Sequence, residues 1–76
     1  MDVVAQPMIR LKAEHLRRGW TQIDLAYHSR VQPAEISRFE NGNARPYPGQ
    51  ARRLAAALGL DPGQLLQEVS GAGELT

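Results

Sequence analysis

An all-α fold, a compact bundle of five short helices, is what this 76-residue sequence predicts. Apolar residues recur at helical spacing through most of the chain. No segment alternates apolar and polar residues for long enough to argue a strand. Proline and glycine sit where helices begin and end. The length allows one domain, residues 1–76, with a core from about 8 to 69 and a frayed tail from Ser70 to Thr76.

The first helix is expected from Pro7 to Arg18, with Pro7 in the first turn and Gly19 just past the end. Met8, Leu11, His15 and Leu16 share its inner face. The second starts at Thr21, whose hydroxyl can accept from a free amide of the first turn, and ends near His28. Asp24 stands at the reciprocal position as a shortened capping-box partner, and Trp20 and Leu25 are placed as a hydrophobic staple. Ile23, Leu25 and Ala26 are its apolar positions.

Pro33 opens the third helix, which runs to Glu40 with Ile36 and Phe39 facing inward and Asn41-Gly42 ending it. After a loop from Asn43 to Tyr47, Pro48 opens the fourth, with Ala51, Leu54, Ala55 and Leu58 buried and Gly59 as the stop. Asp61-Pro62-Gly63-Gln64 reads as the start of a fifth helix, with Leu60 and Leu65 as a second staple and Leu65, Leu66 and Val69 facing inward.

Composition excludes several function classes. With no cysteine there is no disulfide and no thiolate zinc site. His15 and His28 are 13 residues apart, far from metal-ligand spacing. No run of about 20 apolar residues is present, and Met1 to Gln6 lacks the basic and apolar regions of a signal peptide, so a cytoplasmic protein is expected. His15 is assigned to the buried face of a helix, and Ser29 and Ser37 have no base beside them. No enzyme, cofactor or metal is expected.

The net charge of +1 is unevenly spread. Residues 1–53 hold all nine basic side chains and five acids, a net of +4, and the remainder is −3. Eight of the nine are arginine, which suits bidentate contact with phosphate or guanine. A solvated surface explains such a distribution equally well. The second and third helices, linked by Ser29 to Gln32, have the form of a helix-turn-helix, whose latter helix enters the DNA major groove. With Ile36 and Phe39 inward, Gln32, Pro33, Ala34, Ser37 and Arg38 are left near the outer side. Arg38 is the only long donor among them and can grip guanine N7 and O6, whereas Pro33 and Ala34 can read only thymine methyls or shape.

The ordered set Thr21-Gln22, Leu25-Ala26, Val31, Ile36 through Gly42, Arg45-Pro46 and Leu54 through Gly59 resembles the lambda-repressor-like, or Cro-repressor and xenobiotic response element, helix-turn-helix family. The match runs from about Ile9 to Leu66. The resemblance implies that Gln32, Pro33, Ala34, Ser37 and Arg38 are base-facing. It implies that Thr21, Gln22, Asn41, Asn43 and Arg45 touch backbone phosphate. Gln22 would also prop a side chain of the recognition helix.

Three residues depart from the pattern. His15 stands where the family commonly has an arginine paired with the acid equivalent to Glu40, so a His15–Glu40 contact is expected. Arg30 occupies a turn position where glycine is usual, at a cost of about 1–2 kcal/mol if the backbone is left-handed there. Trp20 replaces a smaller aliphatic residue and is expected to plug the core.

The resemblance implies a sequence-specific transcriptional regulator, expected to be a repressor. It would be cytoplasmic and nucleoid-associated, and bind double-stranded DNA as a homodimer on a palindromic operator. Leu65, Leu66, Val69 and Leu75 are candidates for the dimer surface, and core burial explains them equally well. Two other readings stay open. A DNA-binding antitoxin would have a toxin protein as partner, but only ten residues follow Leu66 to bind one. A protein-interaction module that has lost DNA binding is allowed by the low net charge and the apolar Pro33-Ala34 pair, and the basic lobe argues against it. No small-molecule sensor is expected in so short a chain.

Overall fold

A computed structural model describes residues 8–69. Within them the chain runs β1 (Met8–Ile9), α1 (Arg10–Arg17), α2 (Gln22–Ser29), α3 (Pro33–Glu40), α4 (Pro48–Leu58), a 3-10 turn (Pro62–Gln64) and β2 (Glu68–Val69). Four α-helices therefore form, not five. Pro7, the expected first helical residue, and the tail from Ser70, with Leu75, lie outside the described residues.

Both chain ends differ from the expected helices for one reason. Met8 and Ile9 pair antiparallel with Val69 and Glu68. Arg10 N–H donates to Gln67 O at 2.8 Å and Leu11 N–H to Leu65 O at 2.9 Å. The first free amides of α1 are thus satisfied by the C-terminal segment rather than by a side-chain cap, and Ile9 supplies none. The Leu65 and Gln67 carbonyls thus face the start of α1. The segment turns once and extends into β2. Each strand is two residues long, below the length at which a period-2 pattern is visible.

The internal boundaries follow the chemistry expected of them. At the end of α1, Trp20 N–H reaches His15 O and Gly19 N–H reaches Leu16 O, with Gly19 at φ +73°. That is the Schellman arrangement, which needs a left-handed residue. The Thr21 hydroxyl accepts from Asp24 N–H at 3.1 Å, and Asp24 Oδ2 accepts from Thr21 N–H at 2.9 Å, closing a capping box on α2. Backbone and side-chain bonds from Thr21, in that order of weight, hold the Asp24 carboxyl below its ordinary range. The side chains of Gln50 and Gln64 accept in the same way from Tyr47 N–H and Asp61 N–H.

The core consists of Leu11, Leu25, Val31, Ile36, Phe39, Leu54, Ala55, Leu58 and Leu65. It draws on every helix and on the segment after the 3-10 turn. Leu65 joins it as expected, and Leu66 and Val69 are half-buried. Leu16 and Ile23, expected to face inward, are 49 % and 64 % exposed. Each eight-residue helix buries only two or three positions, Leu11, Glu14 and His15 on α1 and Leu25 and Ser29 on α2. Trp20 is half-buried at the rim of the core, not inside it, with its ring stacked on His28 at 4.2 Å between centroids.

Candidate nucleic-acid interface

The two helices α2 and α3 meet through the turn Arg30–Gln32 and pack on each other. Arg30 lies at φ +62°, ψ +31°, the left-handed region, and its N–H caps α2 through Ala26 O. Val31 then enters the core, and Ser29 Oγ, itself buried, accepts from Val31 N–H. One left-handed residue followed by one buried valine turns the chain so that α3 leaves α2 at an angle. Pro33 occupies the first turn of α3, where its missing N–H costs nothing.

Burial divides α3 cleanly. Ile36 and Phe39 are buried, while Ala34, Ser37, Arg38 and Asn41 follow one another at spacings of three, one and three residues along the other side. Ala34, Arg38 and Asn41 are exposed and Ser37 is half-buried. Gln32 is exposed just ahead of this stripe and Pro33 is half-buried beneath it. The five residues expected to read bases therefore lie at the start and along the outer side of α3. The Arg38 guanidinium comes only to 4.0 Å of Glu35 Oε2, outside hydrogen-bond range, so it keeps its donors for another partner. Glu35 is a neighbour that the sequence reading overlooked, although its spacing of three residues on a helix signals it.

The five residues expected at phosphate fall into two groups. Asn41, Asn43 and Arg45 are exposed at and after the end of α3, and Asn41 Nδ2 approaches Ser37 Oγ at 3.5 Å. Thr21 and Gln22 open α2. Thr21 is committed to its capping box. Gln22 Nε2 donates to Glu40 Oε1 at 2.9 Å, so Gln22 does engage a side chain of α3, the acid at its C-terminal end. The other oxygen of Glu40 lies 2.7 Å from His15 Nε2, and the two side chains are only 3 % and 4 % exposed. The expected His15–Glu40 contact is present, and Gln22 extends it into a three-helix link.

Three of the nine basic residues are diverted. Arg10, Arg17 and Arg18 of α1 gather on Glu14 at 3.7, 3.3 and 2.9 Å, and Arg18 also donates to Leu58 O at 2.7 Å. The basic lobe read from the sequence is therefore partly an intramolecular cluster. Beside the reading helix lies a shallow apolar groove of about 430 Å³, lined by Ile23, Ala26, Tyr27, Arg30 and Pro33 among others, with Tyr27 80 % exposed.

A family model described as a helix-turn-helix domain matches residues 9–69, nearly the whole described chain. The chain belongs to this helix-turn-helix family. No curated protein and no solved structure matches it.

For a helix-turn-helix domain, the turn is the unusual part. Arg30 is the one non-glycine residue with positive φ among those described, and it sits in the defining turn. Family membership supports a DNA-binding regulator, and the layout of α2 and α3 is the one such a domain uses. Among the described residues there is no group of three potential metal ligands. None of their helices is long and apolar enough to cross a membrane.

Proposed function

We propose that this helix-turn-helix chain is a sequence-specific transcriptional repressor that lays α3 in the major groove of a palindromic operator and binds as a homodimer. One observation carries the assignment. The side of α3 opposite Ile36 and Phe39 presents Ala34, Ser37, Arg38 and Asn41 in a continuous line, with the exposed Arg38 guanidinium 4.0 Å from its nearest acid, Glu35, and not hydrogen-bonded to it. Arg38 reads guanine bidentately. Gln32, Ser37 and the methyl-compatible Pro33 and Ala34 supply the remaining base-edge contacts, while Gln22, Asn41, Asn43 and Arg45 set register on phosphate.

So few base contacts give a short recognition element. Two copies related by a twofold axis read two half-sites about 34–36 Å apart, which supplies the missing specificity. Such a protein acts on the nucleoid, in the cytoplasm. Selection of binding sites from random duplex DNA tests the proposal. A recovered palindrome bound by two chains is expected. A single unrepeated half-site bound one to one overturns the homodimer, and no enrichment at about 50 mM salt overturns DNA binding altogether.

A further inference from the structure

We propose that His15 is a positioning residue for DNA binding. Held by Trp20 and Glu40, it fixes Gln22 at the start of α2, and duplex affinity falls when the His15–Glu40 pair loses a proton. The inference rests on the proposed role of Gln22 at phosphate.

The geometry fixes the proton count. His15 is 2 % exposed, and each ring nitrogen faces an oxygen. Nδ1 lies 2.9 Å from Trp20 O, and Nε2 lies 2.7 Å from Glu40 Oε2. A carbonyl has no proton to give, so Nδ1 carries one. A carboxylate oxygen at 2.7 Å from Nε2 requires a second proton between them. The pair therefore holds two protons in this arrangement, and both side chains are almost wholly shielded from solvent.

Removal of the second proton leaves two lone pairs facing each other at that distance, and the contact opens. Glu40 is then held only by Gln22 Nε2, and Gln22 in turn loses a fixed acceptor. Gln22 has two amide protons and one amide oxygen. Glu40 takes one proton, and the rest of the amide is the part that can meet a phosphate. An amide already oriented loses less freedom on binding than one that must be ordered by the DNA.

The other charged groups on the packed elements are engaged or solvated. On α1, Glu14 is surrounded by Arg10, Arg17 and Arg18. From α2, His28 stacks on the far partner Trp20 and is itself exposed. From α4, Arg52 and Arg53 are exposed, and from β2 so is Glu68. His28, the other histidine of the chain, stacks on the Trp20 ring and is the necessary control.

The test measures affinity for a duplex recovered by site selection, from about pH 6 to about pH 9, with far-ultraviolet circular dichroism recorded on each sample. Wild-type affinity is expected to fall about tenfold, and His28→Gln to fall in parallel. His15→Arg, whose guanidinium keeps its protons, is expected to bind with no such fall. Gln22→Ala, a change at the partly exposed start of α2, is expected to bind more weakly at low pH and to lose the pH dependence. A flat wild-type profile overturns the proposal. So does a fall retained in His15→Arg or in Gln22→Ala, or one that tracks loss of the helical signal. If no duplex is bound at any pH, the regulator assignment itself falls and this inference with it.

Discussion

Arg30 and Gly59 cap two helices with nearly the same backbone, φ +62°, ψ +31° and φ +70°, ψ +32°, yet one carries a side chain and the other does not. A left-handed conformation costs an L-residue roughly 1–2 kcal/mol. Glycine avoids that cost but loses about 0.4–1 kcal/mol more through the freedom of the unfolded chain. Arg30→Gly should therefore stabilise the domain by about 0.5–1 kcal/mol, which for a chain of this size raises the thermal midpoint by roughly 2–8 °C. Gly59→Ala should do the reverse by a similar amount. A Cβ there meets only Arg18 Nη2, at 3.8 Å, an ordinary contact, so the cost comes from the backbone alone. Urea and thermal unfolding followed by circular dichroism and by the single tryptophan, Trp20, measure both. Arg30→Ala is the control: it removes the side chain but keeps the Cβ, and should change stability by less than about 0.5 kcal/mol. An Arg30→Gly midpoint at or below the wild-type value, with Arg30→Ala unchanged, refutes the backbone explanation.

The capping box of α2 should make stability fall in acid. The Asp24 carboxyl is depressed by its bonds from Thr21, so its contribution is full above the unfolded value and is lost as pH falls through the folded one. Thermal midpoints from about pH 6 down to about pH 3 should drop more steeply in wild type than in Asp24→Asn. Equal slopes would show that Asp24 contributes nothing to the acid limb. Phe39→Ala removes a ring that is 2 % exposed in a small core and should cost about 3–5 kcal/mol, enough to abolish a cooperative urea transition at 25 °C. In DNA binding, Arg38→Ala should relax the preference at one position of each half-site by about 1–3 kcal/mol. Arg45→Ala should weaken all sequences alike and lower the slope of affinity against salt, as site selection and a salt titration would show. Loss of sequence preference in Arg45→Ala would reverse the two roles.

Much of the helix-turn-helix layout was legible in the chain because its determinants are local. Pro33, Ile36 and Phe39 fix the ends and inner face of α3, and once those are known the outer residues follow by helical spacing. The turn could be located but not described. Whether Arg30 adopts a left-handed backbone depends on α2 and α3 packing together, and the structure shows that it does. The charge pattern was the least dependable guide. Arg10, Arg17 and Arg18 count toward a basic lobe in the sequence, and only their convergence on Glu14 shows where part of that charge is spent.

By itself the sequence determined the helical class, the position of the helix-turn-helix, the caps at Thr21 and Gly59, and most of the core. Each of these rests on interactions spanning a few residues, or on a periodicity visible along one helix. Only the tertiary structure decided the fate of the two ends. The carbonyls of Leu65 and Gln67 were claimed by amides more than fifty residues away, and a fifth helix gave way to a single turn and a two-residue strand. It likewise decided that Gln22 joins His15 and Glu40, because that link needs three helices brought to one buried point. A backbone donor or buried side chain takes whichever acceptor the packed chain brings to it, and separation along the sequence does not tell which that will be.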